Sequence, residues 1–108
     1  SIVTAYIQSH FRETELSVGS VAQQFYVSRE HLSRIFKNHT SESISHYITD
    51  LRMQEFRYGL LMGKNVLPAC LESGFSDNSS FVKPFRKLYG ITPADYREQL
   101  RSAINRSI

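Results

Sequence analysis

The stretch Ser43–Met62, SISHYITDLRMQEFRYGLLM, contains no proline and predicts one long helix that decides the fold. Ser43 is suited to cap its start and Gly63 to end it. The apolar residues of its first half recur at helical spacing on one side, and those of its second half recur on nearly the opposite side. They are Ile44, Tyr47, Ile48 and Leu51, followed by Met53, Phe56 and Leu60. The pattern therefore predicts a connecting helix with a small helical core at each end.

The residues before this connector predict three shorter helices around the first core. A first helix covers residues 2–10, Ser17 caps a second, and Ser28 caps a third after a short break at Tyr26-Val27. Two helices joined by a tight turn, of which the second has a polar and basic outer face, form a helix-turn-helix. The inward-facing residues predicted for this second helix are Leu32, Ile35 and Phe36.

The same order of elements returns after the connector. Asn65 is placed to cap a short helix that stops at Gly74, which we expect in the left-handed conformation that ends helices. Ser76 or Asp77 caps the next helix, and Thr92 followed by a proline opens the last one. The inward-facing residues predicted for the helix after Asp77 are Phe81, Phe85 and Leu88.

The two flanking regions resemble one another, which indicates a diverged internal duplication. The segment LSRIFK at 32–37 matches FVKPFR at 81–86, hydrophobic residue for hydrophobic residue and base for base. We therefore predict an all-α fold of about seven helices, with two helix-turn-helix subdomains joined by the long connecting helix. The subdomains are expected at residues 1–42 and 63–108, with the connector at 43–62.

The composition excludes several classes of protein. The 108 residues allow one domain or two very small ones, and 41% of them are hydrophobic, which favours a folded chain. The net charge of +3 favours an acidic partner such as nucleic acid. A single cysteine permits no internal disulfide and suits the reducing cytoplasm. No apolar run reaches membrane-spanning length, and the N-terminus lacks a signal-peptide pattern.

The candidate catalytic groups are scattered along the chain. The four histidines lack the i, i+4 pairing on one helix face that a metal site would show, Cys70 falls at a small core position, and no glycine-rich phosphate loop is present. We therefore predict neither an enzyme nor a bound cofactor or metal. The histidines are His10, His31, His39 and His46.

The second half of the chain carries a more specific pattern. The runs GFSDNSSF at 74–81 and FRKLYGITPADYR at 85–97 resemble the signature of AraC/XylS-type bacterial transcription regulators, roughly GF-x-D-x-S-x-F and then FK-x-x-x-G-x-TP-x-x-Y/F-R. The first unit fits too, and the resemblance spans residues 2–97. It implies the DNA-binding domain of a cytoplasmic transcription factor, with the second helix of each unit in the major groove. Double-stranded DNA is then the expected partner, with RNA polymerase as a further candidate.

The resemblance also implies site residues, position by position. Base contacts are expected from Arg29, Glu30, Ser33, Arg34, Ser79, Ser80 and Lys83, and phosphate contacts from Ser28, Lys37, Asn78, Arg86 and Lys87. Arg34 is suited to guanine, which offers two acceptors, and Glu30 to the amino group of cytosine. A connector of about 20 residues spans roughly 30 Å, close to the roughly 34 Å between successive major grooves on one face of DNA. The two units would then read adjacent grooves of an asymmetric site.

Several positions depart from the family pattern. Pro84 falls inside the second recognition helix and costs roughly 3 kcal/mol if the helix continues, so the helix either starts late and bends or docks differently. Phe56 replaces a usual alanine and requires a repacked second core, with Ala69-Cys70 compensating part of the volume. Thr40 replaces a usual glycine and predicts a different helix end.

The alternative reading is a helical protein-interaction module that presents its basic surface to an acidic partner. Such a module needs an exposed apolar patch, whereas the long apolar stripes are all assigned to the two cores. The chain begins within a helical pattern and without a methionine, which predicts a fragment of a longer protein. We expect this fragment to be monomeric, with any sensor, receiver or dimerisation function in a missing domain.

Overall fold

The computed structural model describes all residues, 1–108, and consists of seven α-helices without a strand. This confirms the predicted all-α class. The helices are α1 (Ile2–His10), α2 (Val18–Gln24), α3 (Arg29–Thr40), α4 (Ile44–Leu61), α5 (Val66–Glu72), α6 (Ser79–Tyr89) and α7 (Pro93–Ser107). The chain divides within α4 into two compact units, Ser1–Arg52 and Met53–Ile108.

Helix α4 is the predicted connector. The Ser43 hydroxyl accepts a hydrogen bond from the His46 amide at 3.1 Å and so caps its start. The helix ends at Leu61, and Gly63 follows with φ +93°. Its two apolar halves enter different cores, as the sequence predicts. Ile44 and Ile48 belong to the first core, and Met53, Phe56 and Leu60 belong to the second.

Arg52 ties α4 to the loop between α1 and α2 in the first unit. Its Nε donates to the Phe11 carbonyl at 2.7 Å, and its Nη2 donates to the Glu13 carbonyl at 2.9 Å. Burial lowers the pKa of Arg52, and the nearby Glu15 carboxylate opposes that shift. Two carbonyls held by one planar guanidinium explain an arginine here rather than a lysine.

The second core is built around phenylalanine rings. The Phe81 ring centroid lies 4.4 Å from that of Phe56, 4.8 Å from that of Phe75 and 5.3 Å from that of Phe85. Ala69 and Cys70, both buried, are the small residues of this cluster. The large Phe56 and the small pair therefore share one core, as the predicted repacking requires.

Two residues that the sequence predicts to face inward are exposed. Ile35 is 39% exposed and Leu88 is 48% exposed, so both predictions are wrong. In α6 the core position next to Phe85 is taken by Tyr89, four residues further on, and their ring centroids are 4.6 Å apart. In α3, Leu32 and Phe36 have the same i, i+4 spacing and occupy the core face, which leaves Ile35 outside the core.

Some apolar surface of the second unit is also left uncovered. Leu67 is 51% exposed and Leu71, one turn later on α5, is 44% exposed. The two cores therefore leave this short apolar pair uncovered. Besides Leu88, the other large exposed hydrophobic residues of this unit are Tyr58, Leu61, Met62, Ile104 and Ile108.

The ends of three helices test the predicted caps. Asn65 occupies the predicted N-cap position of α5, but its side chain makes no capping bond, and its Oδ1 instead accepts a hydrogen bond from Arg97 Nη2 at 2.9 Å. Thr92 accepts from the Asp95 amide at 3.1 Å, which confirms the start of α7. Helix α3 ends with Thr40 as its last residue, and Ser41 follows as its C-cap with φ +67°, which confirms a different helix end.

Helix α6 continues through Pro84. It begins five residues earlier, at Ser79, which excludes a late start, one of the two alternatives considered for this helix. Because proline has no amide hydrogen, the helix lacks the bond that residue 84 would donate to the Ser80 carbonyl. Helix α6 therefore forms despite an unfavourable residue, with Phe81 and Phe85 buried on either side of it.

Candidate DNA-binding surface

The turn between α2 and α3 closes with two backbone hydrogen bonds. The Tyr26 amide donates to the Gln23 carbonyl at 3.2 Å, and the Val27 amide donates to the Ala22 carbonyl at 3.1 Å. This is the Schellman arrangement, which requires a left-handed residue after the helix. Tyr26 occupies that position with φ +57°, although it is not a glycine and is 96% exposed.

The turn between α5 and α6 repeats this geometry. The Gly74 amide donates to the Leu71 carbonyl at 3.2 Å, and the Phe75 amide donates to the Cys70 carbonyl at 3.4 Å. Gly74 has φ +111°, which confirms the predicted positive φ of the glycine that ends this helix. Each unit therefore contains a helix-turn-helix with the same backbone closure. The second helix of the motif is α3 in the first unit and α6 in the second.

The outer face of α3 carries the predicted base-contacting residues of the first unit, and all of them are exposed. They are Arg29, Glu30, Ser33 and Arg34. Ser28 caps the helix by accepting from the His31 amide at 3.1 Å. His31 is a neighbour that the sequence analysis missed, because its Nδ1 lies 3.1 Å from Arg34 Nη2. Since a guanidinium only donates, the ring nitrogen is the acceptor of this bond.

The start of α6 is organised around Asp77, which identifies the cap among the two predicted residues. Its Oδ1 accepts from the Ser80 amide at 2.7 Å and from the Ser79 hydroxyl at 2.9 Å. The Ser80 hydroxyl donates to the Asp77 carbonyl at 3.2 Å. These bonds lower the pKa of the Asp77 carboxyl, with the bond from the Ser80 amide as the largest cause and the bond from the Ser79 hydroxyl as the next. Ser79 and Ser80 are exposed, as is Lys83 one turn later.

The predicted phosphate-contacting residues are also exposed and lie on the same two helices or at their starts. Lys37 lies in the last turn of α3, and Arg86 and Lys87 lie in the last turn of α6. Cations at these positions also stabilise the helix, because the dipole places partial negative charge there. Asn78 immediately precedes α6 and makes no side-chain capping bond.

These two surfaces belong to a known type of domain. A family model described as a helix-turn-helix domain matches residues 21–99. The chain is 34% identical over 90 residues to the HTH-type transcriptional regulator ArgR of Pseudomonas aeruginosa, an alignment that covers 82% of this chain and 27% of that protein. It is 32% identical over 90 residues to the Msm operon regulatory protein of Streptococcus mutans, with 82% of this chain and 32% of that protein covered. The chain thus spans about a third or less of these relatives.

Solved structures agree with the sequence relatives. An AraC-type transcriptional regulator from Chromobacterium violaceum superposes with a TM-score of 0.74 at 29% identity, covering 91% of this chain and 88% of that one. The chain belongs to the AraC-type helix-turn-helix family. The C-terminal domain of AraT, a response regulator from Geobacillus stearothermophilus, superposes with a TM-score of 0.85 at 30% identity, covering 91% of this chain and 82% of that one. As a member of the AraC-type family, the chain is a DNA-binding domain of the kind found in transcription regulators.

Other chemistry finds little support in this AraC-type domain. No group of three His, Cys, Asp or Glu side chains is arranged to hold a metal ion. Cys70 is buried, and its thiol donates a weak bond to the Asp77 carbonyl at 3.7 Å. Burial is the larger cause, and the charge of Asp77 the smaller one, that raises the pKa of the thiol to about 11. The thiol therefore stays protonated at neutral pH. None of the seven helices is long and apolar enough to cross a membrane.

Proposed function

We propose that this domain binds double-stranded DNA sequence-specifically, with α3 and α6 as recognition helices that enter the major groove. The observation that carries the proposal is the repeated turn. In both units the same backbone closure precedes a helix whose predicted base-contacting side chains are exposed. A helix that follows such a turn and presents polar side chains outward is suited to the width of the major groove.

The side chains of α3 match the chemistry of base edges. Arg34 has the paired donors that guanine O6 and N7 accept, and Glu30 has the acceptor that cytosine N4 requires. The bond from Arg34 Nη2 to His31 occupies part of the guanidinium and leaves other donors for a base. Arg29 and Ser33 are assigned to base edges on the same helix.

The remaining cationic and polar residues are assigned to the DNA backbone. Lys37, Arg86 and Lys87 would neutralise phosphates, and the backbone amides at the helix starts near Ser28 and Asn78 would donate hydrogen bonds to phosphate oxygens. Such contacts fix the register of the recognition helices without reading the sequence. They also make affinity fall as salt concentration rises.

The arrangement on DNA and the role in the whole protein form the wider part of the proposal. The connector length supports reading of two adjacent major grooves by one chain, without a palindromic site. We propose that the domain acts in the cytoplasm as a binding rather than a catalytic module, and that it is monomeric when isolated. RNA polymerase is the further candidate partner of the whole regulator.

Replacing Arg34 with alanine tests the proposed base contact. Arg34→Ala should weaken binding to a selected duplex by about 1–3 kcal/mol, because the paired donors to guanine are lost, while most binding to random duplexes persists. Lys37→Ala is the control. It should weaken both duplexes equally and reduce the slope of log affinity against log salt by about one. Equal losses on both duplexes for Arg34→Ala would make Arg34 a phosphate contact.

One observation favours a second candidate function. The exposed Leu67 and Leu71 on α5 leave apolar surface of the kind a protein-interaction module needs. Titration with duplex DNA at several salt concentrations separates the two functions. DNA binding that weakens steeply with salt supports the first, and its absence at low salt supports the second.

A further inference from the structure

The carboxylate of Asp77 fixes the direction of the Ser79 hydroxyl. Ser79 Oγ donates to Asp77 Oδ1 at 2.9 Å, and the Ser80 amide donates to the same oxygen at 2.7 Å, which orients the carboxylate. A hydroxyl carries one proton and two lone pairs, so this bond leaves Ser79 with acceptor capacity only. Hydrogen bonds to a charged acceptor are about twice as strong as neutral ones, so a neutral base oxygen competes poorly for that proton.

Resting on the proposed reading of DNA by α6, we propose that Asp77 sets the base preference of Ser79 toward bases that present an amino group. In the major groove, adenine N6 and cytosine N4 are donors, whereas guanine O6 and thymine O4 at the corresponding positions are acceptors. A hydroxyl that can only accept forms a hydrogen bond with the amino group of adenine or cytosine. Opposite the oxygen of guanine or thymine it faces a lone pair and forms no hydrogen bond. Ser79 therefore prefers adenine over guanine, or cytosine over thymine.

Asp77 determines specificity in this arrangement without touching a base. A serine whose hydroxyl rotates freely offers both a donor and an acceptor, and it tolerates any of the four bases. The neighbouring serine gives no second donor, because the Ser80 hydroxyl donates to the Asp77 carbonyl at 3.2 Å. The first turn of α6 thus presents acceptors to DNA, whereas Arg34 on α3 presents donors.

The experiment begins with the base pair that Ser79 reads. The complete chain and its Ser79→Ala variant each select duplexes from a random pool, and the base whose preference disappears in the variant marks the contact. Affinities are then measured for a duplex with the preferred base and for one with the transition at that pair. A transition exchanges an amino group for a keto oxygen at the same place in the groove. Deoxyuridine in place of thymidine removes the methyl group as a separate influence.

Two variants of Asp77 form a matched pair. Asp77→Asn keeps an acceptor oxygen for the Ser79 proton, and Asp77→Gly removes that acceptor while remaining an acceptable helix cap. The wild-type chain and Asp77→Asn should both lose about fivefold in affinity on the transition, the size of one net hydrogen bond. Asp77→Gly should bring the ratio of the two affinities close to one. Helical circular dichroism and binding to a random duplex verify that each variant is folded.

Three results would overturn the proposal. The first is a preference of the wild-type chain for guanine or thymine at this base pair. The second is a preference that stays unchanged in Asp77→Gly. The third is an enriched block of sequence beside that of α3 which Ser79→Ala leaves unaltered. In each of them the reading of DNA by the domain still stands. A selection without any enriched block contradicts the proposed function itself, and the role of Asp77 with it.

Discussion

The two units of the molecule build the same helix-turn-helix from different residues. The turn of the first unit places Tyr26 in the left-handed region, where the second unit has Gly74. Both turns close with the same pair of backbone bonds. L-residues other than glycine avoid that region at a cost of roughly 1–2 kcal/mol. The backbone bonds therefore define the motif, and Tyr26 adopts the left-handed conformation against the preference of its residue type.

The helices α3 and α6, which follow the two turns, differ in the same way. Ile35 in α3 corresponds to Pro84 in α6, yet both helices run unbroken through these positions. The polar faces differ as well, because Arg34 donates to His31 in the first unit and Ser79 donates to Asp77 in the second. The motif is therefore shared, whereas the side-chain hydrogen bonds on the exposed polar face are particular to each unit.

The largest expected effect separates the two cores. Phe81→Ala should destabilise the second unit by about 3–5 kcal/mol, because the surrounding rings of Phe56, Phe75 and Phe85 leave a cavity that cannot fully collapse. Ile7→Ala is the counterpart in the first core. Amide spectra should lose dispersion within 53–108 for the first variant and within 1–52 for the second. Loss across the whole chain for either variant would show one cooperative unit.

The next effect concerns the proline of α6. Pro84→Ala restores an amide donor for the Ser80 carbonyl and should stabilise the protein by about 1–3 kcal/mol. Ile35→Pro makes the reverse change in α3 and should destabilise it by roughly 3 kcal/mol or more. Denaturant midpoints of the two variants measure both changes. An unchanged or lower midpoint for Pro84→Ala would mean that packing of the proline ring outweighs the lost bond.

A smaller pair of effects tests the turns. Gly74→Ala puts a side chain at φ +111° and should destabilise the second unit by about 1–2 kcal/mol. Tyr26→Gly relieves the same conformation in the first unit and should stabilise it by up to about 1 kcal/mol, because the greater freedom of glycine in the unfolded chain offsets part of the gain. Thermal melting of both variants checks the signs. Destabilisation by Tyr26→Gly would show that the exposed ring makes a stabilising contact.

The smallest effect distinguishes the helix caps by pH. The bonds from Ser80 and Ser79 lower the pKa of Asp77 in the folded state, so its carboxylate stabilises the fold above the unfolded pKa of about 3.9. That contribution is lost as the pH falls through the lower folded value. The stability difference between wild type and Asp77→Asn should therefore be constant from pH 7 to 5 and shrink below about pH 4.

Ser28 provides the control for this pH dependence, because the cap of α3 does not titrate. The difference between wild type and Ser28→Ala should stay constant over the same range. A difference for Asp77→Asn that does not change with pH would mean that the carboxylate is not held preferentially in its ionised form.

Much of the fold follows from local patterns in the sequence. The opposite apolar faces of α4 predict two cores, and Ile48 and Met53 do lie in different ones. The caps at Ser43 and Thr92 follow from residue type and position alone. These features depend on helical spacing and on bonds within one turn, which a sequence specifies directly.

The missed features depend on tertiary contacts or on side-chain orientation. Asn65 has the residue type of a cap, but Arg97, far along the chain, binds its side chain instead. Leu88 is exposed because Tyr89 takes the place beside Phe85, a choice of one helical position that periodicity does not resolve. The bond between Arg34 and His31 requires particular rotamers, so the pattern of residues gives no signal for it.

The most direct test of the account is a selection of bound duplexes from a random pool, read by sequencing. Two short enriched blocks about ten base pairs apart are expected, one read by α3 and the other by α6. Arg34→Ala should degrade one block and Ser79→Ala the other. A single block, degraded by only one of these variants, would contradict the central claim that both units read sequence.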